Sequence, residues 1–270
     1  MIAFLKDSLF HFAKPELNKI SKFRNIHKGQ ECYIFGDGIS IKYFDLKSFA
    51  DKISLVGNYI PFHNDFNKLN APYCIMSAPF YFSPFFGYPD PNWKKHLYYM
   101  SKLYRDVINK HPNKNFFLSL SNYPFVRGKN IFYNFQKYIT DPATGTFISD
   151  RIDCYKGVLR HAVSMAIYMG FDHIYLVGCD YTFTPTQHLH WYESGNGVLD
   201  DMPDYEKDFF NVAKEYIDIT TVTLKGKSNI LDYISYEELT GNKLNFKENT
   251  EIINEKHLNG LRTWSGYKII

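Results

Sequence analysis

Between residues 180 and 192 the chain reads DYTFTPTQHLHWY, gathering a carboxylate, two tyrosines, three threonines and two histidines. Histidine has a proton affinity close to neutral pH, so His188 or His190 is suited to take a proton from an attacking hydroxyl. The two flank Leu189, and in an extended segment they point the same way. An H-x-H pair also suits a metal, but no third ligand stands nearby in sequence, and no metal is expected. Asp180 is suited to orient such a histidine, to hold a cation or to cap its own turn.

A second candidate is GDGIS, residues 36–40. Gly36 and Gly38 let the backbone turn sharply and approach a phosphate, and Ser40 can cap or donate. The stretch is shorter than a dinucleotide fingerprint and lacks the Walker lysine, so a plain strand-to-helix turn is the alternative. Further polar groups fall where apolar runs stop: Asn58, Ser77, Ser121 and Asn122, and Asp180 with Tyr181. Singly these are turn residues. Together they would ring one edge of a sheet with neutral hydrogen-bonding groups, suited to a ribose, a base edge or a sugar.

The elements that must hold them follow from periodicity. ECYIF, KISLVGNY (52–59), YCIMSAP (73–79), NFFLSLSNYP (115–124) and HIYLVG (173–178) read as short strands with polar or glycine ends. NWKKHLYYMSKLYRDVINKH (92–111) and KGVLRHAVSMAIYMGFDH (156–173) carry apolar residues at helical spacing, the second stopped by Gly170. DYEKDFFNVAKEYID predicts a third helix and ITTVTLKG another strand. FYFSPFFGYPDPN (80–92) and TDPATGTFISD (140–150) read as loops, the latter mobile. Repeated β-α-β order predicts an α/β fold with a largely parallel sheet and helices on both faces. With no repeat and no linker, residues 29–270 are expected to form one domain.

Composition narrows the function classes. The chain has 270 residues, 45% hydrophobic and 22% charged, with a net charge of +3. That charge, without a lysine–arginine block, argues against nucleic acid as a partner. Its 22 Tyr and 24 Phe are many, and either biased coding or stacking surfaces would account for them. The four cysteines are widely spaced, which predicts buried thiols in a reducing cytoplasm. No apolar run approaches a membrane span. Residues 1–28 read as an amphipathic helical extension whose short helix ends at Pro15. Its apolar face, within residues 1–14, suits peripheral contact with the inner face of the cytoplasmic membrane, packing on its own domain, or packing on a second subunit of a homo-oligomer.

GDGISIKYFDL resembles the opening motif of the small bacterial CMP-sialic acid-dependent sialyltransferases and of the related motility-associated, pterin-pyrophosphokinase-like family. LSNYP, Arg151-Ile152, KGVLRHAVSMAIYMGFDHIYLVGCDY, HLHWYE and TLKGKSNILDYISYEEL extend the resemblance across roughly residues 28 to 240. It implies a single Rossmann-like domain, a GT-A-like glycosyltransferase variant with a flexible lid at about 181–203. It implies inverting transfer of an acidic sugar, a sialic acid or related nonulosonate or Kdo-type residue, from a CMP donor to a hydroxyl of a bacterial surface glycan. Such an enzyme serves lipopolysaccharide or capsule biosynthesis and needs no cofactor. On this resemblance His190 or His188 is the base, and Tyr181 or Tyr192 steadies the departing phosphate. Gly36, Asp37, Gly38, Ser40, Asn58, Ser77, Ser121, Asn122, Arg151 and Asp180 bind the donor. Asp37 stands where the sialyltransferases have asparagine, and Ile39 where they have proline. Two alternatives follow: a pyrophosphokinase-like phosphoryl transferase holding Mg²⁺ through Asp37 and Asp180, or a non-catalytic nucleotide- or glycan-binding subunit.

Overall fold

The computed structural model describes residues 12–82, 91–137, 153–155, 157–200 and 206–270. Its centre is a nine-stranded sheet. The strands are β1 (Glu31–Phe35), β2 (Ser54–Gly57), β3 (Tyr73–Met76), β4 (Asn115–Ser119), β5 (Ile131–Lys137), β6 (Asp153–Tyr155), β7 (His173–Val177), β10 (Asp218–Thr223) and β11 (Asp232–Ser235). A separate antiparallel hairpin joins β8 (Thr186–His188) to β9 (Val198–Asp200). In the large sheet the order is β11-β10-β7-β1-β2-β3-β4-β5-β6, and every pairing is parallel. The strands explain why: β2 and β3 are buried along their whole length, as parallel strands covered on both faces must be.

The order fixes where a ligand site belongs. From β1 the chain adds β2 to β6 on one side, then returns to lay β7 against the other side of β1. In open α/β sheets a reversal of this kind marks the ligand site, in a crevice beyond the carboxyl ends of the two strands that flank it, here β1 and β7. GDGIS follows β1 and GCDY follows β7, so both sequence candidates flank this crevice.

Helix α1 (Pro91–Lys110) buries Leu97, Met100, Leu103, Tyr104, Val107 and Ile108, the predicted stripe. Helix α2 (Val158–Met169) packs on β1, β2, β3 and β6, and ends where Gly170 adopts φ +79°. Helix α3 (Lys207–Ala213) is shorter than its periodicity predicts. The helical run of residues 12–17 passes through Pro15 instead of ending there and continues as the 3₁₀ segment Asn18–Phe23. Leu17, Ile20 and Phe23 enter the core, with Phe23 edge-on to Tyr73, Phe117 and Phe132. Residues 1–11, which carry most of the proposed membrane-facing stretch, lie outside the described residues, as does the whole of the 140–150 loop reading. No described helix is long and apolar enough to cross a membrane.

Besides the β8–β9 hairpin and β11, two larger features escape sequence reading. Strands β5 and β6 extend the sheet beyond β4. Beyond β11, the helices α4 (Tyr236–Thr240), α5 (Asn249–Ile252) and α6 (Glu255–Leu261) form a C-terminal segment. It returns to the carboxyl edge: Asn245 and Lys247 donate backbone hydrogen bonds to Tyr43 and Lys42.

Candidate active site at the sheet reversal

The two glycine turns are pressed together. Gly36 N–H donates to the Val177 carbonyl and Gly38 N–H to the Gly178 carbonyl, each at 2.8 Å. A Cβ on Gly38 would stand 2.5 Å from the Asp180 carboxyl carbon and 2.6 Å from the Gly178 oxygen, so only glycine fits. Gly178 itself sits at φ +69°. Asp180 is then clamped: its Oδ2 accepts the Ser40 amide at 2.8 Å and its Oδ1 the Ser40 hydroxyl at 2.5 Å. Burial, opposed by these hydrogen bonds and by His190, raises the Asp180 carboxyl to about 6.

This revises two donor-binding expectations. Ser40 spends both donors on Asp180, and Asp180, only 2% exposed, serves as a latch between the turns. The residues after Gly38 form a five-residue 3₁₀ turn, Ile39–Tyr43, not a helix that could offer an anion several amides. Asp37 stays half-buried at the crevice. Its Oδ1 accepts the Tyr59 amide at 3.2 Å and the Trp191 indole N–H at 3.4 Å. Burial raises its carboxyl to about 6, with His190, the Tyr59 amide and the Trp191 indole pulling the other way.

The histidines part company. The hairpin strand β8 ends at His188, whose Nε2 lies 3.2 Å from Asp200 on the far side of the hairpin. Leu189 then takes φ +102°, which breaks the extended alternation that would have aimed both rings one way. His190 pairs antiparallel with Gly38 and opens a tight turn in which the Glu193 amide donates to its carbonyl at 3.0 Å. The turn brings Glu193 Oε2 to 2.7 Å from His190 Nδ1 and 2.8 Å from the His190 amide. Glu193 Oε1 accepts the Lys268 amide at 2.8 Å. Burial would raise the Glu193 carboxyl, but the hydrogen bonds from His190 and Lys268 win and hold it below its ordinary value. An ionised Glu193 fixes the proton on Nδ1 and leaves the Nε2 lone pair as the working nitrogen. The His190 side chain remains 42% exposed.

Tyr192 does not reach a leaving phosphate: it is fully buried, and its ring stacks on His190 at 5.0 Å and 10°. Tyr267 closes the other side, edge-on to both rings, and its hydroxyl meets that of Tyr59 at 3.1 Å. Tyr181 is 41% exposed at the rim, beside His188. Behind the turn, the fully buried Lys42 donates to the Gly195 carbonyl at 2.6 Å and pairs with Glu248 at 3.3 Å. Burial lowers its ammonium pKa, opposed by the attraction of Glu248. Asn249 donates to the Tyr192 carbonyl at 2.9 Å. The expected lid is therefore bolted down over residues 190–197, and residues 201–203 of it lie outside the described residues.

The other strand-end groups are mostly spoken for. Ser77 Oγ lies 2.9 Å from His161 Nδ1, whose Nε2 lies 2.9 Å from Asn134, a buried chain that ties α2 to β3 and β5. Burial lowers the His161 pKa to about 3, so it stays neutral and is no base. Ser121 donates to the Pro79 carbonyl at 2.6 Å. Asn122 accepts from Phe82 and donates to Ala78 and Ser119. Ser77 therefore braces a helix against the sheet, and Ser121 and Asn122 hold loops. Asn58 differs: its Oδ1 is shielded from solvent and has no hydrogen-bond partner among the described residues. Arg151 lies outside them.

Sequence reasoning missed Glu193, Tyr267 and Lys268. The H-x-x-E spacing was visible, but only the turn makes it a contact, and the other two lie more than seventy residues away.

No protein-family model matches the chain, and no curated protein matches it. Among solved structures, the chain is similar to a MAf glycosyltransferase from Magnetospirillum magneticum AMB-1, with a TM-score of 0.46 and 11% identity. The match covers 92% of this chain and 40% of that one, so the chain spans less than half of its structural neighbour's length.

Proposed function

We propose that the protein is an inverting glycosyltransferase in which His190 is the general base. One observation carries the reading. At the sheet reversal, His190 is held through Nδ1 by the Glu193 carboxylate while its side chain stays 42% exposed. The acceptor hydroxyl gives its proton to Nε2 as its oxygen bonds to the anomeric carbon. The bond from that carbon to the nucleotide phosphate breaks on the opposite face, which inverts the centre. A positioned base of this kind contributes about 10²–10⁴-fold. The Gly36–Gly38 turn and Asn58 line the donor side, where the unpaired Asn58 oxygen awaits a ribose or base donor. We take the donor to be a CMP-activated acidic sugar and the acceptor a surface glycan, used on the cytoplasmic side. Tyr181, at the rim, is the tyrosine left to meet the departing phosphate.

The phosphoryl-transfer alternative needs Asp37 and Asp180 together on a cation. Both oxygens of Asp180 are held by Ser40, and among the described residues no group of three metal-ligating side chains converges.

Calorimetry with CMP, CDP, UDP, GDP and ATP, in EDTA and then in Mg²⁺, tests the reading. Selective, metal-independent CMP binding is expected, followed by transfer activity that His190→Ala lowers at least a hundredfold while CMP binding persists. Binding of ATP only with Mg²⁺ would overturn it.

A further inference from the structure

A cavity of about 480 Å³ lies on the same hairpin that carries the His190 turn, on the β10 side of the crevice. The rings of Tyr43, Phe183 and Phe246 line it together with Leu199. Lys225 is its one charged lining residue. Its walls are braced: Thr184 and Lys227 exchange backbone hydrogen bonds at 2.7 and 2.9 Å, and Gly226 (φ +108°) meets Thr184 so closely that a Cβ would stand 2.2 Å from the Thr184 oxygen. The cavity is therefore shaped before anything binds. One polar group buried in its wall is unsatisfied. Gln187, three residues before His190, lines the cavity, and its Oε1 is shielded from water with no partner among the described residues. Buried amide oxygens are normally hydrogen-bonded, and rotation about the last side-chain bond can bring either end of this amide to a ligand.

An apolar, ring-walled space with one idle amide calls for a ligand with an apolar body and one N–H donor. A nucleobase fits poorly, since its polar edges would be buried against aliphatic and aromatic walls with Gln187 alone to satisfy them. A bare alkyl chain leaves Gln187 as it is. An N-acylated amino sugar meets both demands: its acyl methyl and apolar ring face pack on Phe183 and Phe246, its amide N–H faces Gln187, and its hydroxyls point to the open mouth. We propose that this cavity is an acceptor subsite selecting an N-acylamino sugar. Calling that sugar the acceptor rests on the glycosyltransferase reading; its binding does not.

The test is binding without turnover, by saturation-transfer NMR and calorimetry on the full chain. The probes are methyl N-acetyl-β-glucosaminide, methyl β-glucoside and CMP. The N-acetyl glycoside is expected to bind at least tenfold tighter than the glucoside, with the acetyl methyl receiving the strongest transfer. Gln187→Leu should erase that preference and leave CMP affinity unchanged, and Leu244→Trp, which fills the cavity, should abolish glycoside binding. Equal binding of the two glycosides would overturn the assignment. So would displacement of the sugar by CMP, or loss of CMP binding in Gln187→Leu, either of which would make the cavity a nucleobase site. Retained N-acetyl selectivity with no transfer from any donor would overturn only the glycosyltransferase reading.

Discussion

Glu193 decides what His190 can do. It accepts three donors, from the His190 ring, the His190 amide and the Lys268 amide, while being almost fully buried. Glu193→Gln keeps the shape but removes the charge and turns an N–H₂ toward one of those donors. Turnover is expected to fall about 10–100-fold with the CMP dissociation constant unchanged, read by single-turnover kinetics beside calorimetry. Asp37 and Asp180 supply a pH signature. Both carboxyls rise from 3.8 to about 6 because they are buried. Between those values the folded chain keeps a proton that the unfolded chain has released, so stability is fully present below pH 3.8 and falls as pH rises through 6. At roughly 1.4 kcal/mol per unit, each group costs at most about 3 kcal/mol across that window. Urea unfolding from pH 4 to 7 should show a shallower decline for Asp180→Asn than for the parent chain. Ionised Asp37 also faces any anion in the crevice. CMP affinity should therefore drop several-fold more between pH 5 and 7 in the parent than in Asp37→Asn, the phosphate's own titration being common to both.

At the scale of elements, the site is a seam between two turns. Gly38→Ala drives a methyl into Asp180 and the Gly178 carbonyl. It should cost several kcal/mol, as overpacking against unyielding backbone does, and abolish nucleotide binding even where a folded core survives by circular dichroism. The two turns were legible in sequence, because a glycine after each of two apolar strands is a local signal, but their contact was not. Helix α2 was legible for the same reason, having a full stripe and a left-handed glycine stop. Strand β5 was not, since the aromatic run of IFYNFQK suits several conformations even after the Gly128–Asn130 turn. The roles of Ser40, Ser77 and Asn122 were misread because residue type shows that a group can bond, while only packing shows to what. Leu189 illustrates the limit best: one positive φ separates two histidines that the one-dimensional pattern pairs.

At the scale of the whole molecule, the C-terminal segment completes the site. Lys268 and Tyr267 hold Glu193 and His190, while Glu248 and Asn249 hold the next turn through Gly195, Lys42 and Tyr192. Deleting Lys268–Ile270 should leave the thermal midpoint within a few degrees, yet lower turnover at least tenfold and speed amide exchange across residues 190–195. No local pattern could announce this, because the contacts join chain positions from 53 to 206 residues apart.

The reversal of strand order has a kinetic consequence. Strand β1 has β2 beside it early in synthesis, but its other edge waits for β7, more than a hundred residues further along the chain. Until then an apolar Cys-Tyr-Ile-Phe strand presents unpaired backbone groups, the kind of edge that recruits other chains. The turns that carry Asp37 and Asp180 cannot meet before that pairing, so the candidate site forms only after β7 has been made, and a chain stalled before β7 has no such site and keeps its adhesive edge.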